Sequence, residues 1–294
     1  MDAVQIYQNV QDHYGSASKS DNVEYGRTVA KSFGYSEEEL ASIPEEANLG
    51  LSCGNPLAIA SLREGETVID LGSGAGFDVF LAAKNVGPSG RAIGVDMNPD
   101  MLARANTNKE NSGVKNIHFV QSQITNIALG SGIADCLISN CVINLVPEEE
   151  KQLVFNEMFR LLKPGGRVAL SDILARQPLP DNIQNDIALY VGCIAGASQV
   201  HEYEKYLADA GFKDTLIADT HSDLNVYLDT DEDGKRRTES KEQWGQNGCC
   251  GPRTVPCCGG PPKTGGEDLN TLPNMDSIDL NEWAGSYKIF AVKP

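Results

Sequence analysis

Apolar positions change their period along the chain, and the changes mark out the elements. From Thr67 onward, short continuous apolar runs alternate with turns rich in glycine and proline. TVIDL (Thr67–Leu71), RAIGVD (Arg91–Asp96), NIHFVQ (Asn116–Gln121), DCLISN (Asp135–Asn140) and GRVALSD (Gly166–Asp172) read as buried strands. Between them the period lengthens to that of a helix. FDVFLAAKNV runs to Gly87-Pro88. A second helix opens with Asn98 as N-cap and Pro99 at its first position, and stops near Gly113. A third extends from about Glu148 to Leu162 and is closed by Lys163-Pro164-Gly165-Gly166. Strands alternating with helices at this spacing predict an α/β fold with a doubly wound, Rossmann-like parallel sheet.

The flanks follow other patterns. Residues 1–46 read as helical and acidic, punctuated by Gly15, Gly34 and Pro44, and suggest a helical cap. Within them Ser36 followed by Glu37, Glu38 and Glu39 is a hydroxyl-capped helix start. Beyond the fifth strand, helices are expected near Ile183–Ile194 and Gln199–Ala210, the latter stopped by Gly211, then a strand at Thr215–Ala218. After residue 220 the periodicity dissolves into polar, glycine- and proline-rich sequence until SYKIFAVKP recovers a strand pattern. The expected organisation is therefore a cap (1–46), a ligand-binding α/β domain (47–219) and a small irregular C-terminal module (220–294).

Composition narrows the function. Of 294 residues, 40% are hydrophobic, enough for an ordinary core. Lys and Arg number 24 against 41 Asp and Glu, a formal charge of −17, which argues against nucleic acid and anionic membranes as partners. No apolar run approaches the roughly 20 residues of a membrane span. MDAVQIYQNVQDHYG has neither the basic start nor the apolar run of a signal peptide, so a cytoplasmic protein is expected. In that compartment the eight cysteines should be free thiols. Cys53, Cys136, Cys141 and Cys193 are scattered singly, whereas Cys249-Cys250 and Cys257-Cys258 form two adjacent pairs. The four histidines show no ligand spacing.

The glycine turn Asp70-Leu71-Gly72-Ser73-Gly74-Ala75-Gly76 follows the first strand, where open α/β sheets hold nucleotide-type ligands. Asp96 ends the second strand, where an acid can accept hydrogen bonds from ribose hydroxyls. The G-x-G-x-G spacing leans away from a dinucleotide. D-x-G-x-G-x-G, the acid after the second strand and LKPGG before the fifth resemble class I S-adenosylmethionine-dependent methyltransferases. IPEEANLGLSCGNP (Ile43–Pro56), LISNCVINLVPEEE (Leu137–Glu150) and VGCIAGA around Cys193, together with VIDLGSGAGFD, are similar to arsenite methyltransferases over about residues 35–217.

That resemblance implies a class I methyltransferase fold and S-adenosylmethionine as cofactor. It places Asp70 in the cofactor site, with Gly72, Ser73 and Gly74 under the methionine portion and Asp96 at the ribose. Met97 would pack on the adenine, Gln123, Ile124 and Thr125 would frame its edge, and Asn140 and Val142 would line the methyl-donor side. Cys53, Cys141 and Cys193 would be the arsenic and redox thiols, and Cys136 structural. The implied substrates are arsenite and methylated trivalent arsenicals. The implied partner is a cellular thiol-reducing system, glutathione or thioredoxin, that reopens a disulfide joining Cys53 to Cys141 or Cys193. As(III) is soft and thiophilic, and its lone pair can attack a methyl group without a general base. Many relatives carry a further N-terminal cysteine; residues 1–52 here contain none. Cys249, Cys250, Cys257 and Cys258 fit one zinc tetrahedron poorly and are expected to be accessory thiols or a reduced tail. Two other readings stay open: a similar methyltransferase acting on carbon, nitrogen or oxygen, and a metalloid-binding protein built around the cysteine-rich tail.

Overall fold

The five apolar runs pair in the computed structural model as one parallel sheet. The structure describes residues 2–19, 23–184, 187–226 and 279–294. The strands are β1 (Thr67–Leu71), β2 (Arg91–Asp96), β3 (Ile117–Gln121), β4 (Ala134–Asn140), β5 (Leu162–Ala175), β6 (Lys213–Asp219) and β7 (Ala284–Val292). Their spatial order is β3-β2-β1-β4-β5-β7-β6, with β1 to β5 mutually parallel and β7 antiparallel to both neighbours. Strand order reverses between β1 and β4, and at such a point the two crossovers leave in opposite directions and open a crevice at the strands' carboxyl ends. The glycine turn and the SNC segment both sit there.

Helices fall where local chemistry starts and stops them. Among the described residues they are α1 (Ala3–Ala17), α2 (Val23–Ser32), α3 (Glu37–Leu40), α4 (Leu57–Ala60), α5 (Phe77–Val86), α6 (Pro99–Ser112), α7 (Lys151–Leu161), α8 (Asp181–Gln184), α9 (Ile187–Val191), α10 (Val200–Ala210) and α11 (Leu280–Trp283). The Asn98 side chain caps α6 by accepting from the Asp100 and Met101 amides, and left-handed Gly113 ends it. Ser36 and Glu39 form a reciprocal capping box on α3. From the N-terminal region, α1 packs on α6 and α9, tied by Asn98 Nδ2 donating to the Gln11 carbonyl at 2.9 Å. None of the helices among the described residues is long and apolar enough to cross a membrane.

Three expectations change. Of the helix expected over Ile183–Ile194, the described residues show helix to Gln184 and again over Ile187–Val191, and it ends early in a turn in which Cys193 takes a left-handed φ of 65°. The Lys163-Pro164-Gly165-Gly166 stop is the irregular start of a longer β5, where the ladder to β4 slips between Ala134 and Cys136. The terminal strand, expected to tie down a separate module, pairs with β5 from Arg167↔Val292 to Ala175↔Ala284 and lies inside the main sheet. A β5 buried along most of its length needs its outer backbone groups satisfied, and β7 supplies the partner. Residues 284–292 thus belong to the α/β domain.

Candidate active site

At the crevice the glycine turn is shaped by close approach. Gly72 has φ 69°, and a Cβ there would lie 2.5 Å from both Val142 methyls. A Cβ at Gly94 of β2 would meet Ser73 Oγ at 2.6 Å, so only glycine leaves room for the turn. Asp96 fastens the turn: its Oδ2 accepts from the Gly74 amide and its Oδ1 from the Asn98 amide, both at 2.8 Å. The resulting cleft encloses about 1070 Å³ including its solvent-open mouth. Asp70, Asp78 and Asp96 all face it. Burial, reinforced by Asp78 and Asp96, holds the Asp70 carboxyl well above the usual carboxylate range, and burial pushes Asp78 up to about 6. Ser73 Oγ is buried with no hydrogen-bond partner among the described residues, as expected of a group awaiting a ligand.

One edge of the cleft leads to the thiols. Cys141 follows β4 with a left-handed φ of 60°, its amide donating to the Ser171 carbonyl at 2.9 Å. The Cys193 thiol donates to the Cys141 carbonyl at 2.8 Å. Left-handed backbone costs a non-glycine residue roughly 1–3 kcal/mol and persists only where the surroundings impose it. Here they do: Asn144 Nδ2 donates to the Cys193 carbonyl at 3.1 Å, to Ile173 O at 2.6 Å and to Asp172 Oδ1 at 3.0 Å. Cys53 arrives on the segment before α4. Its amide donates to Asn140 Oδ1 at 3.1 Å, and Ser286 of β7 donates to its carbonyl at 2.6 Å. The sulfurs of Cys53 and Cys141 and a carboxylate oxygen of Asp172 lie within 4.8 Å of one another. Cys53, Cys141, Cys193 and Asp172 are 0%, 5%, 3% and 1% exposed.

Such burial decides the protonation state. Burial pushes the Cys53 thiol up to about 12 and holds Cys141 well above the usual thiol range. Cys193 is raised first by its hydrogen bond with Cys141, then by burial. The cluster therefore holds neutral thiols, and any soft centre that binds must displace their protons.

A family model described as "Methyltransferase domain" matches residues 62–211, more than half of the chain and the whole span from α4's exit to α10's stop. The chain belongs to this methyltransferase family. An arsenite methyltransferase from Halobacterium salinarum is 46% identical over 200 residues, covering 68% of this chain and 51% of that protein. The mouse arsenite methyltransferase is 33% identical over 210 residues, covering 67% and 55%. This methyltransferase thus spans about half the length of the curated relatives it matches. The crystal structure of an arsenic(III) S-adenosylmethionine methyltransferase from Chlamydomonas reinhardtii superposes with a TM-score of 0.54 at 25% identity, covering 90% of this chain and 73% of that one. The doubly wound α/β sheet expected from the strand pattern, and the class I methyltransferase fold that the resemblance implied, are the fold observed.

In this methyltransferase the residues named from sequence separate into two groups. Asp70, Gly72, Ser73, Gly74, Asp96, Met97, Gln123, Ile124, Asn140 and Val142 line the cleft; Thr125 does not. Of the three cysteines only Cys141 lines it, while Cys53 and Cys193 lie behind. Asn140 does more than line a wall. Its Nδ2 donates to Tyr35 Oη at 2.9 Å, Gly54 O at 2.9 Å and Asp78 Oδ2 at 3.0 Å, so one carboxamide links the cleft's acid to the Cys53 segment. Cys136 is buried in β4 away from the cluster. Cys249, Cys250, Cys257 and Cys258 lie outside the described residues. Sequence reasoning missed Asp172, Asp78 and Tyr14. Tyr14 of α1 lines the cleft, donates to the Val191 carbonyl at 3.1 Å and lies 4.0 Å from Cys193 Sγ. The GRVALSD strand ending in an acid was the available signal for Asp172; nothing local marked Tyr14.

Proposed function

We propose that the protein methylates trivalent arsenic, arsenite and its methylated trivalent products, bound by Cys53, Cys141 and Cys193. The observation that carries this reading is the convergence of three buried thiols, from segments far apart in sequence, on one edge of an acid-lined methyltransferase cleft. S-adenosylmethionine, when bound in that cleft, supplies an electrophilic methyl group on a sulfonium. The acids lining the cleft, Asp78 and Asp96 and Asp70 where the bound cation ionises it, would complement its positive charge, Asp96 would accept from the ribose hydroxyls, and the buried Ser73 hydroxyl would offer a further hydrogen bond.

The neutral thiols suit arsenite. Each S–H proton leaves with an arsenic hydroxyl as water, so three As–S bonds form with no net charge buried. Thiolate-bound As(III) keeps a lone pair and has no proton to lose, which explains why the cleft needs no general base. The protein's task is then orientation, worth up to roughly 7–11 kcal/mol in favourable intramolecular reactions. Methylation raises arsenic to As(V). Two site thiols can return it to As(III) by forming a disulfide, Cys53 with Cys141 or Cys193. An external thiol system, glutathione or thioredoxin, would reopen that bond, and the free thiols fit a reducing cytoplasm. Incubating the full chain with S-adenosylmethionine, glutathione and arsenite, then separating arsenic species, should show methylated arsenicals. Transfer of methyl to no arsenical, with cofactor bound, would overturn the reading.

A further inference from the structure

The thiol cluster contains a donor that trigonal arsenic does not use. Among the described residues the one grouping of metal-capable donors is Cys53, Cys141 and Asp172, all buried and all within 4.8 Å of one another. Three sulfurs satisfy As(III), which is three-coordinate, soft and keeps its lone pair free. A carboxylate is a hard ligand and adds nothing to that arrangement. Yet Asp172 is fixed at the cluster. Tyr203 Oη donates to its Oδ2 at 2.8 Å, Asn144 Nδ2 and the Ile173 amide donate to its Oδ1, and all three partners are buried. Ligating carboxylates in metal sites are oriented by hydrogen bonds of this kind.

We propose that Cys53, Cys141 and Asp172 form a binding site for a thiophilic divalent cation, Zn2+ or Cd2+, which competes with arsenic for the pocket. Two sulfurs and one carboxylate oxygen are a donor set of the type that borderline-soft dications take, with a fourth tetrahedral position left for water. Zn–S bonds of about 2.3 Å put tetrahedral sulfurs roughly 3.8 Å apart, so donor atoms that lie within 4.8 Å of one another need to close by no more than about 1 Å. Binding balances as one cation entering and the two thiol protons leaving to solvent, with Asp172 ligating as carboxylate. The product carries a charge of −1. The buried Lys151 ammonium, paired with Glu148 at 2.7 Å, favours the charged form of Asp172, and the Tyr203, Asn144 and Ile173 donors stabilise that carboxylate further. The route in is the cleft itself, since Cys141 forms part of its wall.

The two ligands therefore divide the cluster differently. Arsenic uses Cys193 and ignores Asp172; the cation uses Asp172 and ignores Cys193. The arsenical half of that contrast rests on the proposed function, whereas the cation half does not. The test uses the full chain with Cys249, Cys250, Cys257 and Cys258 changed to Ser, kept reduced without a thiol. Zn2+ is titrated against a chromophoric chelator, and Cd2+ is followed by its thiolate charge-transfer absorption. One ion per chain should bind, with absorption of two thiolates, and should block binding of a trivalent arsenical while leaving S-adenosylmethionine binding intact. Asp172→Asn should weaken the cation at least about 100-fold, the upper end of what losing even an outer-shell partner costs, and spare the arsenical. Cys193→Ser should do the reverse. If Asp172→Asn does not fold, the two-thiolate count and the Cys193→Ser result still decide. Absence of stoichiometric cation, a three-thiolate signature, or cation binding lost in Cys193→Ser overturns the proposal. Cation binding without any arsenical binding would leave it standing and remove the arsenic reading instead.

Discussion

Replacing Asn140 by Ala separates holding the Cys53 segment from serving the cofactor. The carboxamide accepts from the Cys53 amide at 3.1 Å and donates to Gly54 O, Tyr35 Oη and Asp78 Oδ2. Truncation strands the Cys53 N–H and the Gly54 carbonyl and takes one donor from a buried carboxylate. Asn140 is half-buried beside an open cleft, so water can replace part of what is lost. Each of those three losses, at Cys53 N–H, the Gly54 carbonyl and Asp78, is then worth about 1 kcal/mol, giving a destabilisation of roughly 3 kcal/mol. At about 2–4 °C per kcal/mol for a domain of this size, Tm should fall by roughly 6–12 °C. The functional effect should fall on Cys53. Mass-spectrometric alkylation should find its thiol modified faster than in the wild type, and arsenite turnover should drop by at least about tenfold, a loss near 1.4 kcal/mol in the barrier. Cofactor affinity by calorimetry should change little. A variant that loses cofactor affinity while Cys53 stays as protected as before would refute the reasoning and return Asn140 to the methionine site.

Other expectations follow from the same geometry. Asp96→Ala should weaken S-adenosylmethionine binding by calorimetry while circular dichroism stays unchanged; full affinity would remove Asp96 from the site. Cys141→Ser and Cys193→Ser should each abolish arsenite methylation, because a hydroxyl is a poor ligand for a soft centre, and a fully active Cys193→Ser enzyme would sink the three-thiol scheme. Burial raises the folded-state pKa of Asp78 and of Asp172 from 3.8 to about 6, so each protonated form is favoured by folding. Their penalty of roughly 3 kcal/mol apiece is in force above pH 6 and relieved as pH falls toward 4. His13, lowered by burial, pulls the other way. The cofactor-free protein should show a higher Tm at pH 5.5 than at pH 7.5; a Tm that rises steadily from pH 5.5 to pH 7.5 would contradict the burial of these acids.

What the chain reveals on its own is what short-range chemistry decides. The limits of β2 and α6 and the stops at Gly113 and Gly211 follow from apolar period, side-chain caps and left-handed glycine, all settled within a few residues. The glycine turn was legible for the same reason: Gly72, Gly74 and Gly76 take left-handed φ values of 69°, 50° and 96°, which glycine adopts without strain. The three cysteines could be named from the blocks around them, but not their geometry or protonation. Their burial comes from Cys53, Cys141 and Cys193 being brought together by elements dispersed along the chain. That β7 enters the sheet between β5 and β6, so that Ser286 holds the Cys53 carbonyl, depends on pairing residues more than a hundred positions apart. No local period encodes such a pairing. Asp172 reads in sequence as the polar end of a strand. It becomes a buried acid with its pKa near 6, against two thiols, only when β5, Tyr203 of α10 and the Asn144 turn close around it. Desolvation and the contacts that accompany it belong to the assembled structure, because they depend on what every other segment excludes from water.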